Sequence, residues 1–282
     1  MLVDPRWLAQ HLDDPELRIL DCTTYMYPQP VGPSRIESGR PDYEAAHIPG
    51  AQHVDMCEDL SDPDGAFPYT IPRQDQFERL MSRLGIHEAH HVILCGRASL
   101  LPVARAWFVL RAMGHRRLSV LNGGFEGWQH AGYPVSMETP VFPRTAYRAN
   151  PDKHRLASMR DVENALYEPG CLLVNALSPE QFSGTGGAHY GRPGRIPGSI
   201  NVPARDLMDP ETLRFHDREH IRRLLDASGV EGDRRVITYC GGGIAAAVTA
   251  FALELAGHTD WALYDNSLLE WSAIPEAPMD CD

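Results

Sequence analysis

Val236-Ile237-Thr238-Tyr239-Cys240-Gly241-Gly242-Gly243-Ile244-Ala245-Ala246-Ala247-Val248 reads as a short β-branched strand, a break at a cysteine and three glycines, and the start of an alanine-rich helix. The helical pattern continues through Phe251 and Leu255 to Gly257. A strand that stops at a thiol and turns directly into a helix sets the sulfur beside the helix N-terminus. Unpaired backbone N–H groups and the positive end of the macrodipole favour an anion there. Such surroundings lower a thiol's pKa and raise its share of nucleophilic thiolate. Glycine is expected in the loop because it takes the left-handed conformations that turn several N–H groups inward. The three glycines and the immediate helix favour a reactive site over the plainer alternative, a buried and inert cysteine closing a core strand. Cys240 is the expected nucleophile, and Gly241, Gly242, Gly243, Ile244 and Ala245 the expected anion-binding loop.

The surrounding pattern is written twice. Leu121-Asn122-Gly123-Gly124-Phe125-Glu126-Gly127-Trp128 answers Tyr264-Asp265-Asn266-Ser267-Leu268-Leu269-Glu270-Trp271, and Ala112-Met113-Gly114-His115 answers Leu255-Ala256-Gly257-His258 at the same spacing. His47-Ile48-Pro49-Gly50-Ala51 answers Arg195-Ile196-Pro197-Gly198-Ser199, again in the same order. Ordered matches of this kind indicate a duplicated domain. The first copy reads as strands over 18–22, 92–95 and 119–121 with helices over 74–84 and 101–113. The second reads as strands over 172–175, 236–239 and 262–264 with helices over 218–227 and 244–256. Strands alternating with helices imply crossover connections and an α/β fold, each copy a mainly parallel sheet flanked by helices. Ligands of such sheets sit at the carboxyl ends of the strands, where Cys240 falls. Pro134, Pro140, Pro143 and Pro151 punctuate a stretch of little periodicity. Domains at 1–135 and 156–282, joined by a linker over 136–155, are the expected division.

The totals bound the function. A length of 282 residues suits two domains, and 43% hydrophobic with 23% charged residues describes a globular chain. A formal net charge of -12 argues against nucleic acid or an acidic membrane surface as the main partner. Cys22, Cys57, Cys95, Cys171, Cys240 and Cys281 are scattered, with no Cys-x-x-Cys pair. That fits reduced thiols in a cytoplasm better than a disulfide framework or a metal site. His90-His91 precedes a strand without a second ligand cluster, so no metal is expected there. The opening Met1-Leu2-Val3-Asp4-Pro5-Arg6-Trp7 lacks the basic-then-apolar run of a signal peptide, and no stretch is apolar enough to cross a membrane.

With the duplication, the paired Ile-Pro-Gly turns and the cysteine loop of the second copy, the sequence resembles the two-domain rhodanese-type sulfurtransferases, which act on thiosulfate or 3-mercaptopyruvate. The likeness runs over nearly the whole chain and includes Gly191-Arg192-Pro193-Gly194-Arg195-Ile196-Pro197-Gly198-Ser199-Ile200-Asn201-Val202-Pro203 and Tyr239-Cys240-Gly241-x-Gly243. The resemblance implies tandem rhodanese-like domains, the second carrying the nucleophile. It also implies transfer of a sulfane sulfur from a small anionic donor, through a Cys240 persulfide, to a thiol or cyanide acceptor. A thioredoxin-like protein is one candidate acceptor. No metal or organic cofactor is implied. In the first copy Cys95 falls opposite Tyr239 and Gly96 opposite Cys240, so that copy is expected to lack the nucleophile.

By the same resemblance Arg192 is the expected donor anchor, with Arg195 adding charge at the cleft or capping its turn. The chain also departs from the family pattern. Leu177 stands where the family often has an arginine, Gly242 where the mercaptopyruvate branch has a serine, and Thr70 where that branch has a histidine. Asp265, Glu270, Trp128 and Trp271 receive structural readings. A phosphatase loop of the form Cys-x5-Arg would need arginine at Ala246. The other alternative is a sulfur-relay or binding module with little turnover on small donors.

Overall fold

The computed structural model describes residues 1–282, and each strand and helix expected from the pattern is present to within a residue of its bounds. The first copy contains β1 (Leu2–Val3), α1 (Pro5–Gln10), β2 (Leu17–Asp21), a hairpin of β3 (Thr24–Tyr27) and β4 (Arg35–Ser38), α2 (Arg40–Ala45), β5 (Ala51–His53) and α3 (Gln74–Arg83). It continues with β6 (His91–Cys95), α4 (Leu101–Ala112), β7 (Leu118–Leu121) and α5 (Gly124–His130). The second copy opens with β8 (Leu156–Ala157), α6 (Met159–Ala165), β9 (Cys171–Asn175), α7 (Pro179–Ser183), β10 (Ile200–Asn201) and a short pair of β11 (Met208–Asp209) and β12 (Arg214–Phe215). It ends with α8 (Arg218–Ala227), β13 (Arg235–Tyr239), α9 (Ile244–Ala256), β14 (Trp261–Tyr264) and α10 (Ser267–Trp271).

The two five-stranded sheets run β1-β7-β6-β2-β5 and β8-β14-β13-β9-β10, and every neighbouring pair in them is parallel. The orders correspond strand for strand, as duplication requires. The edge strands escape a reading of the sequence because two or three residues are too few to display alternation. Register also fixes the equivalence of the copies. Asp21 lies opposite Cys95, and Asn175 opposite Tyr239, so Cys95 occupies the place of Tyr239 and Gly96 that of Cys240.

Helices α4 and α9 follow the two central strands and pack against each other between the sheets. Both are apolar on nearly every face, the signature of a helix with no solvent side. Trp107 of α4 meets Phe251 of α9 edge to face at 5.0 Å and 88°. One cluster of 58 buried residues draws on both copies, so their cores are continuous. Burial of Trp107 and Phe251 at this seam stabilises the pair by roughly 2–3 kcal/mol per side chain. Trp128 and Trp271 are fully buried and donate their indole N–H groups to the carbonyls of Pro134 and Pro278, at 2.7 and 2.8 Å. Each thereby fastens the chain leaving the last helix of its copy. No helix is long and apolar enough to cross a membrane.

Candidate active site

Cys240 follows β13 directly, is only 2% exposed, and precedes the left-handed residue that starts α9. Its N–H donates to Ser267 Oγ at 3.0 Å, and that hydroxyl donates to the Tyr264 carbonyl at 2.8 Å. The carbonyls of Cys240 and Gly241 accept from the N–H groups of Leu268 and Leu269 at 3.2 and 2.9 Å. With the carbonyls tied to α10, the N–H groups of Gly241, Gly242, Gly243, Ile244 and Ala245 find no acceptor in the protein. They form a run of donors at the head of a thirteen-residue helix, the arrangement that holds an anion.

The glycines are required, though for reasons that differ from the sequence expectation. Only Gly243 has a left-handed φ, +79°, and a Cβ there would also lie 2.4 Å from the Asp265 carbonyl oxygen. Gly241 has no such φ; a Cβ on it would sit 2.0 Å from Tyr190 Cζ. The aromatic ring lies flat against bare backbone. At Gly242 the added carbon would press within 2.9 Å of Leu269 Cδ1. Two of the three glycines therefore serve close approach by neighbouring side chains.

A contribution from the first copy had no signal in the sequence. Arg105, in the middle of α4, is fully buried and pairs with Asp265 of the second copy, Nη1 to Oδ1 at 2.7 Å. That contact is electrostatic, since Oδ1 gains no well-angled hydrogen bond, while Oδ2 accepts from the Ile71 N–H at 2.7 Å. The same guanidinium donates to the Gly243 carbonyl at 3.3 Å and to the Tyr69 carbonyl. Tyr69 has φ +66°, a conformation uncommon outside glycine. A single side chain thus ties the Cys240 loop, the 69–71 segment and α4 together. An arginine inside an apolar helix pattern carries no mark of what it will meet.

Above Cys240 lies a cavity of about 140 Å³ at the junction of the copies. Met26, Pro33, Ser34, Tyr69 and Leu101 come to it from the first copy, and Leu177, Tyr190, Gly242, Ile244 and Ala245 join Cys240 from the second. The β3–β4 hairpin reaches it by pairing its tip with the second copy, where Gly32 N–H donates to the His189 carbonyl at 2.8 Å. Tyr69 steadies the hairpin by donating from its hydroxyl to the Ser34 carbonyl at 2.8 Å. Burial, followed by the facing Cys240, pushes the Tyr190 phenol up to about 12, so at neutral pH it is uncharged.

The arginines expected at the cleft are elsewhere. Arg192 donates to the carbonyls of Ser272, Ile274 and Trp271 at 3.1, 2.8 and 3.4 Å, capping the end of α10. Arg195 pairs with Asp282 at 2.8 Å and stacks over Phe182 at 4.6 Å. Neither is among the residues lining the cavity; both guanidiniums bind groups of the fold itself. Asp55 turns its carboxylate onto the N–H groups of Cys57 and Glu58. Thr70 Oγ1 lies 3.0 Å from Asn266 Oδ1, another bridge between the copies. Burial, reinforced by Asp21, holds the Cys22 and Cys95 thiols well above the ordinary range, as suits inert core residues.

His90 does acquire ligand-type neighbours. Glu16, His87 and His90 bring their donor atoms within 4.8 Å of one another, which corrects the expectation that no cluster forms. The loop 87–90 folds back, so that residues three apart stack with ring centroids 3.5 Å apart. Yet His90 Nδ1 accepts from the His87 N–H and His87 Nδ1 from the Ala89 N–H. The neutral rings therefore carry their protons on Nε2, the atoms a metal would need bare.

Comparison with known proteins follows the same lines. A model of the rhodanese-like domain matches residues 4–131 and again 158–274. The 3-mercaptopyruvate sulfurtransferase of Escherichia coli strain K12 is 30% identical over 279 residues, covering 97% of this chain and 95% of that protein. The human 3-mercaptopyruvate sulfurtransferase is 29% identical over 280 residues, covering 96% of this chain and 91% of that protein. Among solved structures, SseA from Escherichia coli, a 3-mercaptopyruvate sulfotransferase, superimposes with a TM-score of 0.83 at 28% identity, covering 94% of this chain and 98% of that one.

Proposed function

Because the chain belongs to the rhodanese-like family and is a sulfurtransferase, we propose that Cys240 is its catalytic residue, carrying the transferred sulfur as a persulfide. The observation that supports this most is the run of five N–H groups, 241–245, left without protein acceptors beside a thiol at the head of α9. The Cys240 thiolate attacks the outer sulfur of a small donor such as 3-mercaptopyruvate or thiosulfate. The bond to the donor breaks, and its electron pair leaves as pyruvate enolate or sulfite. The terminal sulfur then carries negative charge, which the loop N–H groups disperse without reorganising. A thiolate or cyanide acceptor attacks that sulfur and releases Cys240, a two-step covalent cycle with ping-pong kinetics.

Arg105 acts as a positioning residue. By binding the Gly243 carbonyl and Asp265 it fastens the loop whose N–H groups, 241–245, have no protein acceptor. The proposed division at 1–135 and 156–282 makes the second domain the carrier of the nucleophile and the first the supplier of Arg105, Tyr69 and the hairpin. Intact-mass measurement after incubation with either donor tests the proposal. One added sulfur atom is expected, absent from Cys240→Ser. Equal sulfur loading of wild type and that variant would remove Cys240 from the role.

A further inference from the structure

Resting on the sulfurtransferase reading of Cys240, we infer that Tyr190 is a second catalytic residue, its phenol O–H donating a hydrogen bond to the transferred sulfur across from the loop N–H groups. Tyr190 reaches the site on the loop that follows α7, and that loop is tied down at three successive residues. His189 bridges to Val31 of the β3–β4 hairpin, its carbonyl accepting from the Gly32 N–H at 2.8 Å. The Tyr190 carbonyl accepts from the Ser272 hydroxyl at 2.5 Å. Gly191, with φ +119°, passes so close to the same hydroxyl that a Cβ on it would overlap Ser272 Oγ. With its backbone held on both sides, Tyr190 lays its ring on Gly241. The atoms nearest a Cβ on Gly241 would be Cζ, then Cε1 and Cε2, which is the hydroxyl-bearing end of the ring. The O–H therefore lies over the backbone that follows Cys240, in the cavity that both residues line. Tyr69, the other phenol of that cavity, commits its O–H to the Ser34 carbonyl. The Tyr190 O–H has no acceptor in the protein. A half-buried donor without a partner is unfavourable, and negative sulfur on Cys240 supplies the acceptor it lacks. The two groups sense each other already: after burial, the Cys240 charge is what raises the phenol to about 12, so the proton stays on oxygen at neutral pH.

Both half-reactions attack one and the same sulfur. Loading balances as R–S⁻ plus Cys240–S⁻ giving R⁻ plus Cys240–S–S⁻; the Sγ–S bond forms, the R–S bond breaks and its electron pair leaves with R. Discharge to a thiolate balances as R′–S⁻ plus Cys240–S–S⁻ giving R′–S–S⁻ plus Cys240–S⁻, the electron pair of the broken bond returning to Sγ. In each step an anion attacks a sulfur that is itself negatively charged. A hydrogen bond from Tyr190 draws charge off the attacked sulfur and weakens that repulsion, and the phenol keeps its proton throughout. Tyr190→Phe keeps the ring on Gly241 and removes only the unpartnered hydroxyl, so its urea midpoint should match the wild type. Tyr190→Ala, which removes the ring as well, should add a loss of stability that the Phe variant does not show. In Tyr190→Phe, loading of Cys240 from 3-mercaptopyruvate and discharge of the purified persulfide to cyanide, each followed by quenched intact mass, should both slow by at least about tenfold. In steady state the loss should fall on kcat and not on KM. Wild-type rates in either half-reaction overturn the inference and leave the ring a packing role, with the persulfide chemistry of Cys240 intact. Failure of wild-type protein to take up sulfur from 3-mercaptopyruvate or thiosulfate overturns the sulfurtransferase role of Cys240, and this inference with it.

Discussion

Glycines 241 and 243 are needed for different reasons, and substitution separates them. Gly243→Ala meets both a left-handed φ and the Asp265 carbonyl. It should cost about 2 kcal/mol or more in urea unfolding. Gly198→Ala has φ +73° but open space around its Cβ, and should cost only about 1 kcal/mol. Gly241→Ala should clash with Tyr190 alone. In a double-mutant cycle with Tyr190→Ala the two losses should fall short of additivity by about 1–3 kcal/mol, because removing the ring removes the clash. Arg192→Ala should lower stability by about 1–2 kcal/mol through the freed carbonyls at the end of α10, with KM for any donor unchanged. A marked rise in KM would return Arg192 to the cleft.

Helices α4 and α9 join the copies, and Arg105 is their polar link at the active end. Removing it leaves Asp265 buried beside apolar surface. Arg105→Ala should therefore cost about 3–5 kcal/mol. Its effect on turnover should fall on kcat more than on KM, since the loop N–H groups lose their aim while the cavity walls remain. Lysine can pair with Asp265 but cannot reach the Gly243 and Tyr69 carbonyls together, so Arg105→Lys should recover stability better than kcat. Equal recovery of both would make the residue purely structural. At the far end of the same helix pair, Arg111 binds Glu254 at 3.1 Å, closing the seam from its other side.

The continuous core makes the whole molecule the unit of stability. Calorimetry should give a single unfolding transition, and Trp107→Ala should lower it for both copies together, by about 3–5 kcal/mol. Stability should also depend on pH through His115. Its buried ring lies 3.0 Å from the His90 carbonyl through Nε2 and 3.1 Å from the Tyr147 hydroxyl through Nδ1, an arrangement that suits the neutral form. Burial drops its pKa to about 4. The unfolded chain takes up this proton first, from about pH 6.5 downward. Stability is therefore full above that pH, falls by up to roughly 3 kcal/mol between about 6.5 and 4, and levels off below. His90, also lowered to about 4 by burial, adds a loss of the same sign. His115→Gln should flatten the unfolding curve across this window. Local order was legible in the chain itself. Apolar periodicity, cysteine, glycines and helix in direct succession, and a repeat written twice determined the central strands, the α/β class, the duplication and the prominence of Cys240, because each depends on neighbours in sequence. Which side chains meet was decided only by tertiary structure. Arg105 and Asp265 stand 160 positions apart, and Met26, Leu177 and Tyr190 share a wall without sharing a motif. Arg192 stands in an anion-anchor motif in the sequence, and only the tertiary structure shows that its guanidinium meets the carbonyls at the end of α10. The physical reason is that pattern records how a segment buries itself, whereas a charge or a cavity wall acquires its meaning from whatever distant segment packs against it.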